Sequence, residues 1–285
     1  MFSGNSSKHN FLIFLVVGLI CYGYSNFVRY EQYRAWENNP AHYFVNGEPM
    51  MTTLDSYYWL RLAKEYSEGY DFGGGDLLRS YPDHGRQRPE FVPSISYLIA
   101  KTASIFDISH YKAGLILASA LSGLFIFPLA IYFFVIGYPI AGLLGGMIGT
   151  VSLEYLIRTG IGRVDTDVLI LFFPFLASAF ILCAAKSYRL INLLAFSALA
   201  GGAVYLQILW AQVGTTFVIP FAAVLFLTLL ARRPEQNATT QSSVPSTVTH
   251  FPLLRKIIVA VLSLVIYLTF SFGLDLSMML TTLQQ

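Results

Sequence analysis

Apolar positions run along this chain in long blocks rather than in the short alternations of a soluble protein. Blocks at roughly 10–28, 113–136, 139–157, 167–186, 189–209, 212–231 and 256–275 approach or exceed the about 20 apolar residues that cross a bilayer. That makes about seven spans. Short connections join most of them: Gly137-Tyr138-Pro139, Lys186-Ser187-Tyr188-Arg189 and a tight turn at Ala211-Gln212. The pattern predicts an all-α, polytopic membrane helix bundle forming a single transmembrane domain over 1–285.

The first and second blocks are separated by 29–112, a long loop that mixes charges, aromatics and turn residues. Within it, 54–66 places Tyr58, Leu62 and Tyr66 at i, i+4, i+8, with Trp59 and Ala63 beside them and Arg61, Lys64 and Glu65 off the stripe. That spacing predicts a short amphipathic helix, which the aromatics would lay along the membrane surface. A second helical stretch, 91–106, carries too many hydroxyls and Lys101 to make a good span, so it belongs at the interface or against the bundle.

Composition sharpens this picture. The chain is 55% hydrophobic and 12% charged, with a mean hydropathy of +0.58; soluble domains carry about a quarter charged residues. A net charge of +2 names no partner, and the chain offers no basic face for nucleic acid, no phosphate-cradling glycine loop and no zinc-type spacing. Cys21 and Cys183 fall in spans, near opposite membrane faces, and read as unpaired small core residues. The first apolar run lacks a small-residue cleavage motif and reads as an uncleaved anchor.

Lys and Arg in short loops set the orientation. Lys8, Lys186 with Arg189, Arg232 with Arg233, and Arg255 with Lys256 share one side, the cytoplasm. The loop 29–112 and the loop around Arg158 are then exterior. The segment at about 232–255, rich in Ser, Thr, Gln and Pro, is a cytoplasmic linker.

Two exterior positions carry candidate chemistry. In Arg158-Thr159-Gly160-Ile161-Gly162-Arg163-Val164-Asp165-Thr166-Asp167, two cations and two carboxylates stand where a span begins, and charge at the edge of lipid is costly. Helix capping accounts for one aspartate but requires neither the second nor Arg158. Asp55 opens the amphipathic helix, where capping is again the simpler reading. On one membrane face, however, Asp55, Asp165 and Asp167 can gather a hard divalent cation, which prefers oxygen ligands. A third feature, Arg79, His84, Arg86 and Arg88, is either a solvated loop or an anion site for a lipid phosphate, since Arg pairs with phosphate through its fork. Trp210 reads as an interfacial anchor.

The two motifs carry a resemblance. Leu54-Asp55-Ser56-Tyr57-Tyr58-Trp59-Leu60-Arg61 resembles the Asp-x-Tyr-Tyr-x-x-Arg segment in the first exterior loop of oligosaccharyltransferase catalytic subunits, the PglB and AglB family. The run from Arg158 to Asp167 resembles the Arg-Thr-x(5)-Asp-x-Asp segment of their second exterior loop, and the order of spans and loops is similar throughout. The resemblance implies a GT-C type membrane fold. It implies transfer of an oligosaccharide from a polyprenyl diphosphate carrier to Asn of an Asn-x-Ser/Thr sequon in an acceptor protein. It further implies that Asp55 and Asp165 bind Mg²⁺ or Mn²⁺, that Asp55 also takes a hydrogen bond from the acceptor amide, and that Arg158 and Asp167 support the site. The expected setting is a bacterial inner membrane with the site facing the periplasm.

The family also has a C-terminal exterior domain with a Trp-Trp-Asp-Tyr-Gly motif, which does not occur in this chain. The expectation is therefore an N-terminal part: a fragment, a truncated gene or one half of a split enzyme. Two alternatives stand beside this reading. One is another GT-C enzyme using a polyprenyl phosphate sugar. The other is a transporter, disfavoured because the acidic residues lie at the membrane edge rather than mid-span.

Overall fold

The computed structural model describes residues 4–76, 78–79, 87–211, 216–231 and 252–273. Twelve α-helices are described, with two short β-ribbons: Phe44–Val45 with Glu48–Pro49, and Gly74–Gly75 with Gln87–Arg88. The all-α polytopic membrane bundle is borne out. Among the described residues, four helical segments are long and apolar enough to cross a membrane, or five if one bent pair counts as a single span. The stretches expected to span at 212–231 and 256–275 appear as shorter apolar helices, Val218–Ala231 and Lys256–Ser271. The tight turn expected at Gln212 and residues 232–251 of the linker expected at about 232–255 lie outside the described residues, while residues 252–255 already belong to the helix Pro252–Ser271.

The chain divides into two compact units. The first comprises Met1–Phe172 with Leu209–Gln212, the second Phe173–Ile208 with Val213–Gln285.

In the first unit, helix α1 (Gly4–Glu37) runs past the predicted membrane exit at 28. Its polar tail stays helical, with Glu31 and Arg34 paired at i, i+3. After α2 (Pro40–Tyr43) and the first ribbon comes α3 (Leu54–Ser67), close to the predicted helix. Leu62 and Ala63 of the predicted stripe are fully buried and Tyr58, Trp59 and Tyr66 partly so, with Ser56 and Leu60 buried beside them, because the helix packs on α4 (Ser94–Phe106) and α5 (His110–Ser122).

Helix α6 (Ile126–Ile136) turns at Gly137 into α7 (Pro139–Thr150). The two pack closely: a Cβ at Gly142 would meet the Ala130 Cα at 2.9 Å, and one at Gly146 the Ile126 Cα at 3.1 Å. Small residues four apart bring membrane helices together in this way. Helix α7 breaks at Val151 and Ser152 and continues at an angle of 61° as α8 (Leu153–Thr159). The apolar block read as one span is therefore an elbow. A 3-10 turn, Thr166–Leu169, leads into α9 (Phe172–Lys186).

The second unit is built from α9, α10 (Leu190–Ala211), α11 (Val218–Ala231) and α12 (Pro252–Ser271). Its core runs through Ala177, Ile181, Leu193, Val204, Leu225 and Tyr267. Tyr267 is fully buried, and its hydroxyl donates to the Val218 carbonyl at 3.1 Å. The indispensable polar group of a buried tyrosine is thereby satisfied.

Candidate active site

The N-terminal end of α3 is stitched to the loop between α8 and the 3-10 turn. The Thr52 N–H donates to the Gly162 carbonyl at 2.9 Å. The Ser56 hydroxyl takes the Val164 N–H at 2.9 Å and reaches the same Gly162 carbonyl at 3.4 Å. Gly162 has φ +83, and a Cβ there would run into Trp36 and, at 2.9 Å, into Thr52. Only glycine suits both the backbone and the space.

This stitching brings the two candidate motifs together. Trp59, one turn beyond Asp55 on α3, donates its indole N–H to the Asp165 Oδ1 at 3.1 Å. Asp165 Oδ1 also caps the 3-10 turn through the Thr166 N–H at 2.6 Å. Capping is thus part of what Asp165 does, but it occupies one oxygen. Burial raises the Asp165 carboxyl above the ordinary aspartate range, and the negative charges of Asp167 and Asp55 push it the same way. Asp55 is therefore within electrostatic reach of Asp165, though the two lie in loops read separately from the sequence.

Asp55 does not cap α3. That role falls to Thr53, whose hydroxyl accepts the Ser56 N–H at 3.3 Å. The Asp55 carboxylate is exposed, and among the described residues it takes part in no hydrogen bond or ion pair. Asp167 is differently placed: Arg158 pairs with it at 3.1 Å and Arg163 at 3.7 Å. With 59% of its side chain exposed, Arg158 stays open to solvent.

The charges therefore divide. Asp167 is neutralised by two arginines, whereas Asp55 and one oxygen of Asp165 remain available. No group of three or more His, Cys, Asp or Glu among the described residues closes on one point, so a full protein cage for an ion is not built. Asp55 and Asp165 are the residues here that could hold a cation, which as an Mg²⁺-class ion would keep waters and substrate phosphate oxygens as its other ligands.

Arg86 and His84 lie outside the described residues. Arg88 pairs with Glu65 at 3.4 Å and leaves its Nε unpaired. Arg79 lies over the Tyr58 ring at 4.5 Å and donates to its hydroxyl at 3.1 Å. Arg61, read as an off-stripe surface residue, grips the fully buried Asp76 and bridges to Glu65 at 3.0 Å. Asp76 takes the N–H groups of Leu78 and Arg79 as well, so it ties the distal part of the loop to α3.

Sequence reasoning missed Trp210 at this site. It is 5% exposed, and its indole N–H donates at 2.8 Å to the carbonyl of Thr166, between the two aspartates. It also passed over Arg29, which is fully buried against Thr159. Both contacts join distant parts of the chain and leave no local pattern.

The family model described as oligosaccharyl transferase STT3, N-terminal, matches residues 27–284. That range holds both motifs and every element of the site. No curated protein matches the chain.

Proposed function

This chain belongs to the oligosaccharyl transferase STT3 family, and on that premise we propose that its site joins a glycan from a polyprenyl diphosphate carrier to Asn of an Asn-x-Ser/Thr acceptor. An oligosaccharyltransferase-type function in a multi-pass membrane protein follows from the family; donor, acceptor and residue roles are the proposal. The observation that carries it is the Trp59–Asp165 bond, which holds the first-loop motif against the second.

The chemical difficulty is the acceptor. An amide nitrogen is a poor nucleophile because its lone pair is delocalised into the carbonyl. In the proposed roles, the exposed Asp55 carboxylate accepts a hydrogen bond from the amide N–H, which holds the nitrogen and weakens that conjugation. Asp165 is fixed through Oδ1 by Trp59 and Thr166, and in the proposed role its other oxygen serves the same ion. Asp55 and Asp165 would hold Mg²⁺ or Mn²⁺, whose chemistry is to stabilise charge developing on the leaving diphosphate. Asp167 holds Arg158 and Arg163, so that two cations stand beside two carboxylates without collapsing onto them. The bond from the glycan C1 to the diphosphate oxygen breaks, the bonding pair leaves with the carrier, the C1–N bond forms, and one amide proton is released. Differential stabilisation of that charge separation is what accelerates the reaction. Arg86 and Arg88, whose forked guanidinium groups pair with phosphate, are assigned to a phosphate of the carrier.

The site is assigned to the exterior face, which is the periplasm if the host is bacterial. The test uses the full chain in its native membrane, a lipid-linked glycan and a fluorescent sequon peptide. Glycan is expected on the Asn peptide and absent from its Asn→Gln counterpart. Transfer to lipid or to Ser/Thr alone would overturn the assignment.

A further inference from the structure

Arg29 lies inside the first unit with none of its side chain exposed. Its five N–H groups are matched by five contacts. Nε reaches the Thr159 carbonyl at 3.0 Å. Nη1 reaches the Ser25 carbonyl at 3.1 Å and the Ser25 hydroxyl at 2.9 Å. Nη2 reaches the Thr159 hydroxyl at 2.7 Å and the Thr150 carbonyl at 3.4 Å. None of these acceptors is a carboxylate. A buried guanidinium without a counter-ion needs another source of negative potential.

Two helix ends supply it. Thr150 is the last residue of α7 and Thr159 the last of α8. The terminal carbonyls of a helix lack intrahelical partners and carry its negative partial charge. Arg29 thus caps both arms of the 61° elbow at once. The Tyr155 ring lies 5.9 Å from the guanidinium carbon, and the Tyr155 hydroxyl donates to the Ser122 carbonyl at 2.8 Å with the Val168 carbonyl at 3.2 Å as a second, shared acceptor. Val168 belongs to the turn that begins at Thr166.

Arg29 does not act alone on α1. Gln32 Oε1 accepts the Ile161 N–H at 3.2 Å, and the Trp36 ring fills the space that a Cβ at Gly162 would need. Positions 25, 29, 32 and 36 fall on one helix face. That face lines the back of residues 159–162, while Arg158 projects outward to Asp167.

We propose that Arg29 is a positioning residue: by capping α7 and α8 together it fixes the second loop, and through it sets Arg158 and the Asp165–Asp167 pair. The catalytic part of this inference rests on the function proposed above. The structural part does not.

The experiment reads amide hydrogen exchange and transfer kinetics on the full chain in lipid nanodiscs, for wild type, Arg29→Met and Arg29→Lys. Arg29→Met is expected to raise exchange at the amides of Ile161, Val164 and Thr166 by about ten-fold or more, with α10 unchanged. It is expected to lower kcat by roughly 10–100-fold at nearly constant acceptor KM. Combined with Arg158→Ala, it should slow transfer no further than the slower single variant, because both act through one group. Arg29→Lys, which keeps the charge and part of the hydrogen bonding, should recover part of both losses. Unchanged exchange in Arg29→Met, or a kcat loss that multiplies with that of Arg158→Ala, overturns the proposal. If Arg29→Met does not fold, Arg29→Lys against wild type decides by the same readouts. If the wild-type chain transfers no glycan, the functional reading fails, and the exchange data alone decide whether Arg29 sets the loop.

Discussion

Trp59 donates its indole N–H to the Oδ1 of Asp165 at 3.1 Å, joining segments 106 residues apart. This bond ties the first-loop motif to the second and leaves one carboxylate oxygen of Asp165 free. Ser96 accounts for part of its placement: the Ser96 hydroxyl donates to the Trp59 carbonyl at 2.9 Å and seats α3 on α4.

Trp59→Phe keeps an aromatic ring of similar bulk and deletes the donor. A hydrogen bond to a charged group contributes about 1.5–3 kcal/mol. Transfer should fall by about ten-fold or more, and the melting temperature, followed by circular dichroism, should drop by several degrees with the lost bond. A variant with wild-type kcat would mean that this bond does not orient the carboxylate.

Gly162 should tolerate no side chain. Its φ of +83 alone disfavours alanine by about 1–2 kcal/mol, and the overlap with Trp36 adds to that. Gly162→Ala is expected to lose transfer and to melt lower. Gly162→Ala combined with Trp36→Ala should regain some stability by relieving the overlap. Thermal melts of the two variants in one detergent make the comparison.

Asp76 provides a prediction with pH. Burial alone raises its carboxyl, but the Arg61 guanidinium and the N–H groups of Leu78 and Arg79 outweigh burial and hold it below the ordinary aspartate value. Asp76 thus adds stability at every pH above the ordinary value of about 3.9, and that contribution fades as pH falls through the lower native value. Asp76→Asn should destabilise by about 1–3 kcal/mol at neutral pH. The gap in melting temperature between the two proteins should stay level from about pH 8 to about pH 5 and close only in stronger acid. A gap that opens as pH falls would contradict the assignment.

Local pattern carries part of this structure. The period of apolar residues locates α3 to within a few positions, since it buries one face of a short helix against its neighbours. The paired motifs point to the right loops because their residues lie close in sequence. Contacts between distant residues are another matter. Arg29, Glu31 and Arg34 look like a membrane exit, yet α1 continues to Glu37 and Arg29 turns inward to acceptors more than a hundred residues away. The block at 139–157 reads as a single span because apolarity has no term for a bend. The elbow is set by Arg29 on the ends of both arms. Trp210 looks like an interfacial anchor until Thr166 provides it with a buried partner.

The central claim is that Asp55 and Asp165, from separate loops, serve one ion. The most direct test is Mn²⁺ binding, followed by electron paramagnetic resonance on the full chain in nanodiscs, for wild type, Asp55→Asn and Asp165→Asn. The account predicts one bound ion in the wild type and about ten-fold or greater weakening in each variant. An ion held with wild-type affinity after loss of either carboxylate would contradict it.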